Sequence, residues 1–274
     1  MKWQIFLSVA LAIVLAACQK QNDEATLQLR EETANEAELE AMSYEIAAIG
    51  EEAIESEALT GQFPPMTEGL LPPCALLTYD TTGNERVLTI DFGTTGCTGR
   101  DGRTRFGKIE ITAENFGLDP LSTRNIRLIQ YKVDSFLVEG TIKQTVLRQL
   151  NQLIREVSLD EDLTIKNKQS NATYGRRAVI QRIFDFARPG LPLSGTIISW
   201  GTVVLQLPSG RKLTRTVLLE EALVYTMPCR RIVRGIARFT NEENQTWTLD
   251  FGDGRCDNLA QWSNGRRQIT IRIR

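Results

Sequence analysis

Arg86-Val87-Leu88-Thr89-Ile90-Asp91-Phe92 alternates along its length, with Leu88, Ile90 and Phe92 on one side of an extended chain and Val87, Thr89 and Asp91 on the other. A period of two with one polar side marks antiparallel sheet that packs one face and solvates the other. The pattern returns near the end of the chain. Arg230, Arg234 and Arg238 share one parity, and Val233, Ala237 and Phe239 the other. The final residues place Ile269, Ile271 and Ile273 inward, with Thr270, Arg272 and Arg274 outward. Between these stretches, strands are expected near 106–112, 125–133, 135–142, 177–186, 196–206 and 212–218. Asp101-Gly102, Ser209-Gly210 and Asn264-Gly265 read as tight turns, the Asp-Gly and Asn-Gly pairs as type I′. Residues 143–157 read instead as a short helix, because Val146, Leu147, Leu150, Leu153, Ile154 and Val157 fit one helical face. The predicted fold class is all-β: a large antiparallel β-meander preceded by an N-terminal helix. Roughly a dozen strands should curl, split into a sandwich or form an open barrel.

The opening stretch belongs to an internal repeat. Leu88-Thr89-Ile90-Asp91-Phe92-Gly93 reappears as Trp247-Thr248-Leu249-Asp250-Phe251-Gly252, and a cysteine follows each aspartate by six residues, at Cys97 and Cys256. Each copy (74–112 and 229–274) also has an earlier cysteine one strand upstream, Cys74 and Cys229. The shared order pairs Cys74 with Cys97 and Cys229 with Cys256. A loop at Asn241 to Asn244 would set Thr240 opposite Gln245 and Cys229 opposite Cys256. A turn at Gly83-Asn84 sets Cys74 nearer Gly93, so the Thr94-Thr95-Gly96 loop must fold back. The four cysteines lack the close spacing of a zinc site, and disulfides suit an exported chain.

Export is written in the first residues. Lys2 gives a positive start, Ile5 to Leu15 a short apolar run, and Leu15-Ala16-Ala17-Cys18 small residues ending in cysteine. The run is shorter than the ~20 residues that cross a bilayer. The layout is that of a secretory signal and resembles a bacterial lipobox, which implies a signal peptide at 1–17 and acyl chains on Cys18. The residue after Cys18 is Gln19 rather than aspartate, which favours the outer membrane. Lys20 followed by Asp23 and Glu24 also resembles a surface-export signal of some Gram-negative lipoproteins.

Residues 18–59 then read as an acidic helical tether. Leu39, Met42, Ile46, Ile49 and Ala53 form a narrow apolar stripe, too short for a coiled coil. Residues 60–73 form a linker rich in proline, with Pro64, Pro65, Pro72 and Pro73, and 74–274 are the β domain. Residues 1–62 carry 3 basic and 12 acidic side chains, whereas 63–274 carry 29 and 22. The acidic helix therefore either docks on the basic body or stays partly mobile as a tether.

Composition excludes whole classes of chemistry. The chain has no histidine, which removes Ser-His and Cys-His catalysis and imidazole metal sites. The Asp-Phe-Gly triplets at 91–93 and 250–252 lack the other parts of a kinase. Asp250, Asp253 and Asp257 converge on one loop and are a calcium candidate, although turn chemistry explains them equally well. Asp134, Glu139, Asp160, Glu161, Asp162, Asp185, Glu220 and Glu221 could supply the carboxylate pair of a glycosidase, but no pair stands out. Arginines give a better lead. Arg176, Arg177, Arg182, Arg188, Arg211, Lys212, Arg215, Arg230, Arg234, Arg238, Arg266, Arg267, Arg272 and Arg274 are expected largely on outward faces or turns, interspersed with aromatics such as Tyr174, Trp200, Tyr225 and Trp262. There they could hold an anionic polymer or lipid headgroup.

The segments "TIDFGTTGCTGRDGRTRFGKIEI" and "LDFGDGRCDNLAQWSNGRRQITIRI" behind a lipobox resemble a group of β-rich Gram-negative envelope lipoproteins. The resemblance loosely covers 74–274. It implies an all-β fold and carries over no activity and no catalytic or binding residue. The expected function is that of a lipid-anchored outer-membrane protein with a non-catalytic binding or structural role. Its expected partners are the membrane and an anionic glycan or another envelope protein. Arg230, Arg234, Arg238 and Arg272 are the anion-binding candidates, and neither cofactor nor nucleic acid is expected. The alternatives are a carboxylate-dependent hydrolase of polysaccharide and a lipid carrier using the groove of a curled sheet.

Overall fold

The computed structural model describes residues 27–54, 71–83, 85–114, 120–148, 154–185 and 195–273. Cys18, the signal segment and most of the linker lie outside them. One helix, α1 (residues 27–54), precedes a single antiparallel sheet of fifteen strands. The first strands are β1 (Leu76–Asp80), β2 (Arg86–Asp91), β3 (Cys97–Thr98), β4 (Thr104–Ala113) and β5 (Leu121–Val133). Next come β6 (Phe136–Arg148), β7 (Ile154–Asn167), β8 (Thr173–Asp185), β9 (Thr196–Gln206) and β10 (Lys212–Val217). The last are β11 (Leu223–Thr226), β12 (Arg231–Asn241), β13 (Thr246–Asp253), β14 (Leu259–Ser263) and β15 (Gln268–Arg272).

Neighbours in the sheet follow chain order from β1 to β15. Two short strands stand aside from that path. β3 pairs only with β4, and β11 pairs with β9 and β12 beyond a 3-10 turn at Leu219–Glu221. β10 and β11 thus share one place between β9 and β12.

The alternation works as sequence patterning requires. Leu88, Ile90 and Phe92 are buried, as are Val233, Ala237, Phe239, Ile271 and Ile273. The central strands are long, with 13 residues in β5, β6 and β8 and 14 in β7. At ~3.4 Å per residue they span about 45 Å, and α1 at ~1.5 Å per residue spans about 42 Å. The sheet is coiled around a helix of its own length. Every residue of α1 from Met42 to Ile54 is buried, the mark of a helix enclosed on all sides. Trp247 on β13 donates to the Thr33 hydroxyl at 2.7 Å, and the Tyr225 ring on β11 stacks on Tyr44 at 4.9 Å. From the other side Ile111 on β4 crowds Gly50.

Two mid-strand glycines permit that coiling. Gly140 in β6 and Gly201 in β9 have φ of 126° and 132°. A β-carbon at either would collide with a carbonyl oxygen of the adjoining strand, Asp162 or Val179. Such a backbone bends a strand where a side chain could not fit.

Several expectations are corrected. Residues 143–157 contain no described helix: β6 runs to Arg148 and β7 begins at Ile154, with Val146 opposite Val157. Residues 149–153 lie outside the described part. The helical spacing arose because two long strands meet there, each bringing aliphatic residues. The turns at Asp101-Gly102 and Asn264-Gly265 form, but only their glycines take positive φ, 75° and 80°, so neither is type I′. In the second repeat Thr240 faces Thr246, one residue beyond the expected register, and Gly235 adds a bulge. Cys229 still bonds Cys256, with Cα atoms 5.6 Å apart. In the first repeat Leu76 faces Asp91, as expected, and Cys74 joins Cys97 at a Cα separation of 5.7 Å.

Candidate functional site

The concave face of a curled sheet is where such folds hold ligands. In this protein it is lined by arginine. Arg105, Arg124, Arg155, Arg176, Arg182 and Arg215 are all at most 2% exposed. Their strands turn them inward with the core, as Arg176 and Arg182 share a parity with buried Ala178, Ile180 and Phe184. A buried guanidinium must be paired, and the partners come from α1.

Three charge clusters run along the helix. In the first, Arg176 meets Glu40 at 2.5 Å, Glu161 at 2.9 Å and Glu36 at 3.5 Å. Arg215 meets Glu40 at 2.9 Å and Glu36 at 3.3 Å, and Arg182 reaches Glu40 at 3.5 Å. Ser43 joins the cluster by donating to Glu161 and accepting from Arg182. In the second, Glu45 receives Arg103 at 2.6 Å and Arg105 at 3.1 Å. Asp101 and Asp134 complete the charges there, at 2.5 Å from Arg105 and 2.8 Å from Arg103. In the third, the two oxygens of Glu51 take Arg124 at 2.5 Å and Arg155 at 2.6 Å. Nearer the start of α1, Glu32 pairs with Arg211.

Titration follows from this packing. Burial alone would raise Glu40, but Arg215, Arg176 and Arg182 outweigh it and hold the carboxyl down to about 2. Glu36 shares two of those arginines yet is raised, because burial and the neighbouring Glu40 charge exceed the help from Arg215 and Arg176. Burial pushes the Tyr131 hydroxyl up to about 12. Burial works against Arg105, but Asp101 and Glu45 keep it charged.

The tyrosines tighten the same seam. Tyr44 lies between the Arg182 guanidinium, 4.3 Å from its ring centre, and the stacked Tyr225 ring. A helix that buried only aliphatic residues could slide by a turn. Carboxylates at 36 and 40 on a shared set of guanidiniums, and those at 45 and 51 each between two more, fix one register.

The site residues named from sequence are distributed differently from expectation. Arg176, Arg182 and Arg215 point inward and are consumed by α1, so they form no outward basic surface. Arg238 is outward but gripped by both oxygens of Glu221, at 2.5 and 3.0 Å. Arg234 and Arg272 are exposed, while Arg230 is half-buried with positive φ and lies within electrostatic reach of Asp101. Arg272 on β15 is separated from β12 by β13 and β14, about 14 Å in the pairing direction. The four arginines are not gathered into one site.

The calcium candidate is absorbed by turn geometry. Asp250 accepts from the Gly252 amide at 2.8 Å, Asp257 from Leu259 at 3.1 Å, and Asp253 pairs with Arg255 at 3.3 Å. Among the described residues no group of three or more acidic or thiol side chains is placed to hold a metal ion. Asp91 accepts from the Gly93 amide just as Asp250 accepts from Gly252, so the repeated Asp-Phe-Gly is a local turn motif, at the end of β2 and within the last residues of β13. Of the carboxylates available to a hydrolase, Asp134, Glu161, Asp162 and Glu221 each hold an arginine.

No family model, no curated protein and no solved structure matches the chain. The helix-filled sheet therefore has to be interpreted from its own chemistry. Its concave face performs retention: every arginine named there is held by a carboxylate, and Glu36, Glu40 and Glu161 are sealed from solvent.

Proposed function

We propose that this is a lipid-anchored protein of the outer membrane with a non-catalytic, structural role in the cell envelope. One observation carries that role: the groove that would hold a ligand or substrate is occupied by the chain's own helix, charge matched to charge. A general acid needs a carboxyl that titrates near the working pH and touches substrate. Glu40 is buried and held at about 2, and Glu161 is tied to Arg176 and Ser43. A lipid carrier needs an open apolar groove, and α1 lies where that groove would be. The exterior remains the surface for partners, with Arg234 and Arg272 available to an anionic glycan or another envelope protein.

The test is made on the mature protein purified from a Gram-negative host. Intact mass should show an acylated N-terminus at Cys18, and Cys18→Ser should move the protein out of the membrane fraction. Incubation with a panel of envelope polysaccharides should release no reducing ends. Turnover of any of them would overturn the non-catalytic role, and an unmodified Cys18 would overturn the anchor.

A further inference from the structure

The enclosure of α1 changes what a lipid on Cys18 would do. A solvated tether would let the body wander, whereas an enclosed helix moves with the sheet, so its first turn is a fixed point on the body. Eight residues, Gln19 to Thr26, separate Cys18 from Leu27. Nine Cα steps reach at most about 30 Å at full extension. The start of α1 must therefore stay within that distance of any bilayer holding the acyl chains.

Three turns ring that end of the helix. Arg211, in the turn between β9 and β10, pairs with Glu32. Trp247 bonds Thr33 and brings the turn at Asn241–Gln245, between β12 and β13, to the same place. Gly175 at the start of β8 pairs with Gln206 at the end of β9, which sets the turn after Asn167 beside the turn that carries Arg211. The opposite end carries Ile111 at Gly50 and Arg124 and Arg155 at Glu51. About 40 Å of helix separates the two ends.

We propose that these three turns, at residues 168–172, 208–211 and 241–245, form the bilayer-facing surface of the protein, with the end that carries Arg124, Arg155 and Asp185 pointing away. The partner is a phospholipid surface, and the proposal rests on the lipid anchor at Cys18. The turns mix Lys168 and Arg211 with Glu242 and Glu243, so the length of the tether rather than net charge sets the orientation. That makes it insensitive to salt.

The test uses the full-length, processed protein in vesicles of phosphatidylethanolamine and phosphatidylglycerol containing a headgroup-labelled acceptor lipid. A donor fluorophore is placed on Ser209→Cys or on Asp185→Cys, both exposed positions. Energy transfer from position 209 should exceed that from 185 at least threefold, equally at 0.1 and 0.5 M salt. Equal transfer, or greater transfer from 185, in a protein whose mass shows the acyl chains would overturn the orientation and leave the anchor standing. A mass without acyl chains, together with no binding to vesicles, would overturn the anchor and the orientation with it.

Discussion

Glu40 on α1 and Arg176 on β8 meet at 2.5 Å, and neither side chain is exposed to solvent. They are 136 residues apart in sequence, so their contact records the sheet closing around the helix. Removing one partner of a buried pair leaves an uncompensated charge, which costs about 3–5 kcal/mol. Glu40→Gln should therefore lower the urea midpoint sharply with little change in slope. A midpoint within error of the parent would show that Glu36, Glu161 and Ser43 satisfy Arg176, Arg182 and Arg215 without Glu40.

Acid should expose the difference between the two neighbouring glutamates. Glu40 titrates below its unfolded value of 4.5, so its stabilisation is complete above that value and fades as the pH falls towards about 2. Glu36 is raised above the same unfolded value. Its folded form binds a proton more readily, so it disfavours folding as pH rises through its folded value. As the pH falls from neutrality the parent should first gain stability through Glu36 and then, below about 4.5, lose it through Glu40. Glu36→Gln should remove the gain and cost far less at pH 7 than Glu40→Gln. Urea midpoints at three pH values check this, and equal losses from the two variants would contradict it.

The parity of the strands made most of the sheet legible. Arg86–Phe92, 196–206 and the terminal isoleucines fall where alternation puts them, and the repeat located both cysteine pairs. The apolar stripe of α1, from Leu39 to Ala53, is also the stripe that packs. The split in charge also pointed to the acidic helix docking on the basic body, as its glutamates do; what sequence reading missed is that the docked helix is enclosed, with those ion pairs buried inside the sheet. A helix rich in Glu and Ala looks solvated, and Arg176 or Arg215 on a strand looks outward by residue type. The available signal was parity: Arg176 and Arg182 alternate in step with Tyr174, Ala178, Ile180 and Phe184, as Arg215 does with Leu213 and Val217. Residue type overrode position because an arginine is seldom buried unless paired. Its partners on α1 lay more than a hundred residues away, beyond any local pattern.

Gly140 should tolerate no side chain. Its positive φ and the Asp162 carbonyl beside it leave no room for a β-carbon. Gly140→Ala should cost about 2 kcal/mol or more, combining backbone strain with a steric clash. Gly210, at a hairpin tip with nothing near its missing β-carbon, should lose less on the same change. Thermal melting of the two variants measures the difference, and equal losses would argue against a bend at Gly140.

The two disulfides staple the ends of the sheet rather than the helix enclosure. Each closes a short loop, of 23 and 27 residues, and should contribute about 2–4 kcal/mol. Peptide mapping without reduction should link Cys74 to Cys97 and Cys229 to Cys256, and crossed pairs would contradict the repeat. Cys74→Ser with Cys97→Ser should lower the melting temperature while leaving the fluorescence of buried Trp247 and Trp262 unchanged. A red shift would mean that the staple holds the core itself.

The central claim is that α1 is the core of the sheet and not an appendage. Hydrogen–deuterium exchange across residues 36–54 of the native protein measures this most directly. The amides of that segment should exchange only through global unfolding, as slowly as those of β6, β7 and β8. Exchange within seconds, with the strands still protected, would show the helix to be outside the sheet and would contradict the account.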